Sequence, residues 1–385
     1  MEVTPQNCIL LQTKMPDANS IKSKPHYPIL DGLRGVAAIT VVLFHICEAN
    51  STGPYEQLIN HGYLAVDFFF LLSGFVIGYA YDDRWGKLSI GGFFKRRLVR
   101  LQPMVIMGSL IGAACFYFGD SHMWPLIHTV PVWKMLLIML IGFTLIPIPV
   151  SWDIRGWQEM HPLNGPAWSL FFEYVANILY AIGLRKLPKT ALTVLVLIAA
   201  AVLIQYSVTC KSGDMTGGWS LNEEQLRIGF TRLVYPFFAG LLLSRIIKPG
   251  HINNAFLLCS VLLLVVFCVP RIGDPQHAWL NGLFESLSII FVFPFVVYLG
   301  ASGIIKGVKE NKICTFLGDI SYPIYITHYA FIYIYTGWVC DNKDAPLALK
   351  LIYGTLTFAV SIIFAYLSLK YYDEPVRAWL KKRWK

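Results

Sequence analysis

An arginine and a histidine stand eleven positions apart in the first apolar run of the chain: Arg34, in Leu30-Asp31-Gly32-Leu33-Arg34-Gly35, and His45, directly after Phe44. Eleven helical steps turn about 1100°, within about 20° of three full turns, and rise about 16 Å, so the two side chains share one helix face. Ionisable groups inside an apolar span are costly and mark function. Such a face can hold a long ligand lengthwise, a phosphate at Arg34 and a reacting atom at His45. A plainer account stays open, in which Arg34 snorkels to one interface and His45 caps the other end.

Other constellations surround this pair. Asp67, in Val66-Asp67-Phe68, lies at a depth similar to His45 on the antiparallel second run. It is expected either to orient His45 and raise its basicity or to pair with another donor. In Asn164-Gly165-Pro166-Ala167-Trp168-Ser169, Pro166 suits the first turn of a helix, and Ser169 and Glu173 share a face at i,i+4. Trp168 fits an interfacial belt or a binding pocket. Lys95, Arg96, Arg97 and Arg100 form a basic stretch. It reads either as orientation by positive charge and contact with anionic lipid or as a clamp for phosphate. His328 falls within an apolar run, serving a site or bonding a neighbouring helix. Arg227 and Arg232 are placed to meet Glu173 or Asp67. His26 and Asp31 fit an H-x4-D spacing, but the prolines at 25 and 28 argue against a dyad there. No His/Cys cluster has zinc-like spacing, so no metal is expected.

The elements that must position these groups follow from composition. The chain has 385 residues, of which 56% are hydrophobic and only 14% charged; its mean hydropathy is +0.55. Soluble domains carry roughly 25% charged residues, so the expected class is an all-α polytopic membrane protein. Ten spans are expected: Ile29–Ile46, Tyr63–Tyr81, Leu101–Phe118, Ala167–Leu184, Ala191–Tyr206, Gly229–Ser244, Ala255–Val269, Leu283–Leu299, Ile320–Val339 and Leu351–Leu369. Lys and Arg mark cytoplasmic loops, and the net charge of +9 is assigned to this bias rather than to nucleic acid. The loop charges agree only if an eleventh apolar run, Met135–Ile148, is re-entrant or interfacial on the outer side. The expected organisation is a polar cytoplasmic tail over 1–28 without a signal-peptide core, a membrane domain over 29–376, and a basic cytoplasmic tail over 377–385 of an inner or plasma membrane protein.

Taken together, LDGLRG with His45 after Arg34, VDFFFLLSGF, FFKRRLVRLQP, NGPAWSLFFE, RLVYPFFAG, LGDISYPIYITH and YYDEPVRAWL make this chain resemble the acyltransferase 3 family of integral-membrane O-acyltransferases. The motifs occur in the family's order across nearly the whole chain. The resemblance implies transfer of an acyl group, commonly acetyl from acetyl-CoA, to a hydroxyl of an extracytoplasmic glycan or glycosylated product. It also implies that Arg34 and His45 are the functional pair. The fused esterase-like domain of some relatives is absent from this sequence, so the membrane domain is expected to act alone or with a separate extracytoplasmic partner.

On that footing, Arg34, Arg96, Arg97 and Arg100 are expected to hold the nucleotide of acetyl-CoA. His45 acts with Asp67 and Glu173, as general base or as acyl carrier. Trp168, Ser169 and His328 line the acceptor pocket. The competing reading is a transporter or flippase using Arg34, Asp67, Glu173 and His328.

Overall fold

The computed structural model describes residues 24, 26–248 and 250–384, so most of the expected tail over 1–28 lies outside the described residues. Those described are helical, with no strand beyond an isolated bridge between Ile252 and Gly303. Fourteen α-helices follow in chain order: α1 Pro28–Asn50, α2 Ala65–Tyr81, α3 Ile90–Ala114, α4 Val132–Gly142, α5 Ala167–Ile182, α6 Lys189–Thr209, α7 Glu223–Ile246, α8 Ala255–Cys268, α9 Trp279–Leu287, α10 Phe293–Ala301, α11 Gly307–Thr327, α12 Tyr329–Asp341, α13 Leu347–Ser368 and α14 Glu374–Arg383. A π-helical turn over Ser288–Val292 joins α9 to α10, and another over Leu369–Asp373 joins α13 to α14.

Local chemistry sets several starts. Pro28 occupies the first turn of α1, where its missing N–H costs nothing. Ser89 accepts from Gly92 N at 3.1 Å to cap α3, and Asn222 accepts from Gln225 N at 2.9 Å to cap α7.

Six helical stretches are long and apolar enough to cross a membrane: α1, Gly62–Tyr81, α6, α7, Trp279–Ala301 and the run from α13 through α14. The other four expected spans are short or charged. The helices α5 and α8 have only 16 and 14 residues. Lys95, Arg96, Arg97 and Arg100 sit inside α3, and Lys309, Glu310, Lys312 and Asp319 inside α11. The ninth expected span is two helices that meet at His328. The boundary expected at 376/377 falls within α14, whose basic end continues the helix.

The short apolar run doubles back. After α4 the chain turns at Phe143, whose carbonyl accepts from Gln102 of α3. It returns so that Lys134 Nζ lies 3.5 Å from the Asp153 carbonyl, and Ile148 N donates to Met160 O at 3.0 Å. A helix of 11 residues is about 16 Å long, so this hairpin enters from one face of the bundle and leaves by the same face.

Two helix pairs form the frame of the site. In α1, Gly35 meets the Leu317 backbone of α11, and Gly32 meets Cys314. In α2 and α7, Gly74 meets the Phe237 carbonyl and Gly240 the Leu71 carbonyl. At each crossing a Cβ would occupy backbone space, so only glycine permits this approach. Both pairs are parallel: α1 runs beside α11, with residues 31–35 beside 314–318, and α2 runs beside α7, with Gly74 at Phe237 and Gly78 at Ser244. The consequence is one end of the bundle that carries Arg34 and an opposite end that carries His45.

Candidate active site

At the Arg34 end, α11 holds the guanidinium. Arg34 Nε donates to Ser321 Oγ at 2.8 Å and Nη2 to the Gly318 carbonyl at 3.3 Å. Asp31 completes the clamp at 3.2 Å and also pairs with His26 Nδ1 at 2.6 Å. The H-x4-D residues therefore do meet, against the expectation from the flanking prolines. The Asp31 hydrogen bond holds the His26 imidazole above its ordinary pKa. Arg34 lines a cavity of about 100 Å³ together with Ser73, Arg97, Arg100, Ser169 and Glu173. Within it Arg97 is ion-paired to Glu173, and Ser73 Oγ donates to the same carboxylate at 2.9 Å. Among the described residues Arg100 has no carboxylate within ion-pair distance. Arg96 points away: it is exposed and lines no part of this cavity.

At the opposite end a cavity of about 640 Å³ opens, lined by His45, Glu48, Glu159, Trp168, Arg232 and Tyr329 among others. His45 Nδ1 lies 2.8 Å from Glu48 Oε2. Its ring packs edge-on to Tyr329 at 4.8 Å and stacks on His328 at 5.7 Å. A carboxylate only accepts, so Nδ1 carries the hydrogen and Nε2 is the basic nitrogen, an assignment from the partner. His328 is fully buried behind His45 and does not line the cavity. Its Nδ1 donates to the Ile324 and Tyr325 carbonyls at 3.0 Å, leaving Nε2 without a partner.

Asp67 does not orient His45. Its carboxylate takes a 2.7 Å bond from Arg232 Nη2, and the same guanidinium donates to the Tyr63 carbonyl at 2.8 Å and the Gly217 carbonyl at 3.2 Å. The physical reason is proximity: the close crossing of α2 and α7 places a permanently charged fork beside Asp67. His45 instead takes a carboxylate one turn further along its own helix, at i,i+3. Of the two arginines placed at the start of the sixth span, it is Arg232 that meets Asp67.

Ser169 and Trp168, adjacent on α5, are about 100° apart around the helix and face different chambers. Trp168 lines the large cavity and Ser169 the small one. Glu173, one turn below Ser169, is likewise on the Arg34 side, not in the chamber of His45. Val66 and Tyr325 line both cavities, so the two chambers meet at these side chains.

Two groups were missed from sequence because they sit in a loop with no periodic signal. Glu159 lines the large cavity, accepts from Tyr333 Oη at 2.7 Å, and is pushed up to about 7 by burial, with Arg155 opposing. Arg155 is buried, its guanidinium 3.6 Å from the Tyr333 ring centre. Glu48 was missed as well, although its i,i+3 spacing from His45 was a signal that could have found it. Among the described residues no three His, Cys, Asp or Glu side chains gather to hold a metal.

Protein 2 in the picA locus of Rhizobium radiobacter is 34% identical over 189 residues, 46% of this chain and 91% of that protein. O-acetyltransferase OatA of Staphylococcus aureus strain NCTC 8325 is 23% identical over 379 residues, 92% of this chain. The chain spans 58% of the length of that staphylococcal relative. No solved structure matches. The family model described as an acyltransferase domain matches residues 27–366, a stretch that takes in both chambers and the side chains between them, and the chain accordingly belongs to that acyltransferase family.

Proposed function

We propose that this protein is a membrane O-acetyltransferase that takes acetyl from acetyl-CoA on the cytoplasmic side and passes it to a hydroxyl of an extracytoplasmic glycan or glycosylated acceptor. The observation that carries the reading is that Arg34 and His45, on one face of α1, end in two chambers that abut. Basic side chains favour a cytoplasmic Arg34 end: Arg245 pairs with Asp82 there, and Arg185 stacks on Trp85.

The donor's phosphates suit the Arg34 end. Arg34 is held by backbone and hydroxyl partners as well as Asp31, and among the described residues the Arg100 guanidinium has no carboxylate within ion-pair distance. Arg97 is already matched by Glu173 and acts by fixing the wall. The donor supplies an acyl carbon activated as a thioester. His45 Nε2 removes the hydroxyl proton as the acceptor oxygen bonds that carbon. Glu48 stabilises the resulting imidazolium. The carbon–sulfur bond breaks, and His45 returns the proton to the departing sulfur, giving an ester and a free thiol. The large chamber suits a sugar, with Trp124, Trp157, Trp168 and Trp219 as stacking faces and Glu48 and Glu159 as acceptors.

Detergent-purified protein with labelled acetyl-CoA tests this. Wild type should release CoA thiol, and His45→Ala should not, while remaining folded and membrane-inserted. Full activity in His45→Ala overturns the mechanism. Inert wild type that instead moves a glycan precursor or anion across vesicles favours transport.

A further inference from the structure

The boundary between the two chambers is narrow and is built from few groups. Tyr325, at the last turn of α11, is nearly buried and lies 2.7 Å by its hydroxyl from Ser169 Oγ of α5. Ser169 Oγ also lies 3.0 Å from the Pro166 carbonyl. A carbonyl only accepts, so Ser169 donates to Pro166, and the phenol donates to Ser169. From α2, Phe69 packs edge-on to the Tyr325 ring at 5.2 Å, and Val66 lines both chambers beside it. Three helices therefore converge on one ring, which is secured by a single neutral hydrogen bond. Releasing that bond is the smallest rearrangement that joins the chambers.

We propose that Tyr325, latched to Ser169, is the specificity-determining gate between the chambers and selects by width what passes from the Arg34 side to the His45 side. This rests on the reading that an acyl-thioester arm reaches across. A slender acetyl arm needs only a swing of the ring away from Ser169. A broad acyl group meets Val66 and Phe69 on the opposite wall as well. With the latch shut, two water-accessible chambers stay separate, and the membrane stays sealed between turnovers.

Two measurements test the gate. In the first, Val76→Cys places a thiol in the Arg34 chamber, and a small membrane-impermeant thiol reagent is confined to the His45 side of sealed vesicles. Labelling at position 76, read by peptide mass spectrometry, should be at least tenfold faster with Tyr325→Ala than with Tyr325 present. Tyr325→Phe and Ser169→Ala, which keep the ring and lose the latch, should fall between. Equal rates in all four backgrounds overturn the gate, whatever the chemistry of the protein. Should Tyr325→Ala fail to fold, the two latch variants decide the question alone.

In the second, thiol release is compared for acetyl-CoA and benzoyl-CoA. The benzoyl-to-acetyl ratio of kcat/KM should rise at least tenfold with Tyr325→Ala, the scale on which pocket walls discriminate. An unchanged ratio in a protein that turns over acetyl-CoA overturns selection by width and leaves the acetyltransferase reading standing. Wild type inert to acetyl-CoA overturns that reading, and the labelling rates still judge the gate.

Discussion

Replacing Glu48 by Gln tests the catalytic base most directly, because it keeps the size of the side chain and removes one charge. Glu48 Oε2 lies 2.8 Å from His45 Nδ1. The carboxylate matters most at the moment the imidazole becomes a cation. Coulomb's law gives unit charges at that separation ~1.5 kcal/mol in a water-like dielectric and ~6 kcal/mol at an effective dielectric of about 20. The Glu48 side chain is 47% exposed against 18% for His45, so solvent screening selects the lower figure. At about 1.4 kcal/mol per decade, kcat should fall roughly tenfold. KM for acetyl-CoA should hold, because the site proposed for the donor's phosphates lies at the other end of the bundle. The assay is steady-state release of CoA thiol from protein whose melting temperature matches wild type. Glu48→Ala should behave like Glu48→Gln. A kcat within twofold of wild type, or a loss confined to KM, would refute the assignment of Glu48 as the partner of the base.

The remaining predictions concern the frame and the pH response. Removing either partner of the buried Asp67–Arg232 pair should destabilise the protein by about 3–5 kcal/mol. Asp67→Asn with Arg232→Met should lose less than the sum of the single changes in thermal unfolding; simple additivity would mean the pair is not coupled. Gly240→Ala drives a methyl into the Leu71 carbonyl and should cost about 1–3 kcal/mol as overpacking, whereas Gly91→Ala, with open space around it, should be neutral. A neutral Gly240→Ala would deny the close crossing. Burial raises Glu159 from 4.5 to about 7; the folded state holds the proton more tightly than the unfolded one. Its contribution is then full below about pH 4.5 and is lost as pH rises through about 7. Glu159→Gln should flatten the fall in melting temperature over that window, and parallel slopes for wild type and variant would count against the burial of this carboxyl.

Helical periodicity carried most of the site's axis in the sequence. Arg34 and His45 could be placed on one face because a helix fixes the angle between residues, and that relation survives any packing. Ser169 and Glu173 were likewise correctly paired on a face of α5. Periodicity does not say which neighbour a face will meet. Depth left Asp67 either to orient His45 or to pair with another donor, Arg232 among those placed to meet it; depth is shared by every helix at that level, and the glycine-mediated crossing of α2 with α7 gives the carboxylate to Arg232. Arg96 and Arg97 are sequence neighbours, yet one is exposed and the other buried, a difference set by the rotation of α3 about its axis. Glu159 and Arg155 lie in the loop between α4 and α5, where no repeat of apolar residues marks them. The expectation that Met135–Ile148 does not cross rests on loop charge, and in the structure the chain after α4 turns back towards the start of that helix.

The glycine crossings have a mechanical corollary. Each pair, α1 with α11 and α2 with α7, is fused backbone to backbone and has no slack of its own. Val66 rides on one fused pair and Tyr325 on the other. Any breathing that parts them must run along the seam between the two rigid bodies, so side chains far down that seam, near neither chamber mouth, should govern how often the passage widens.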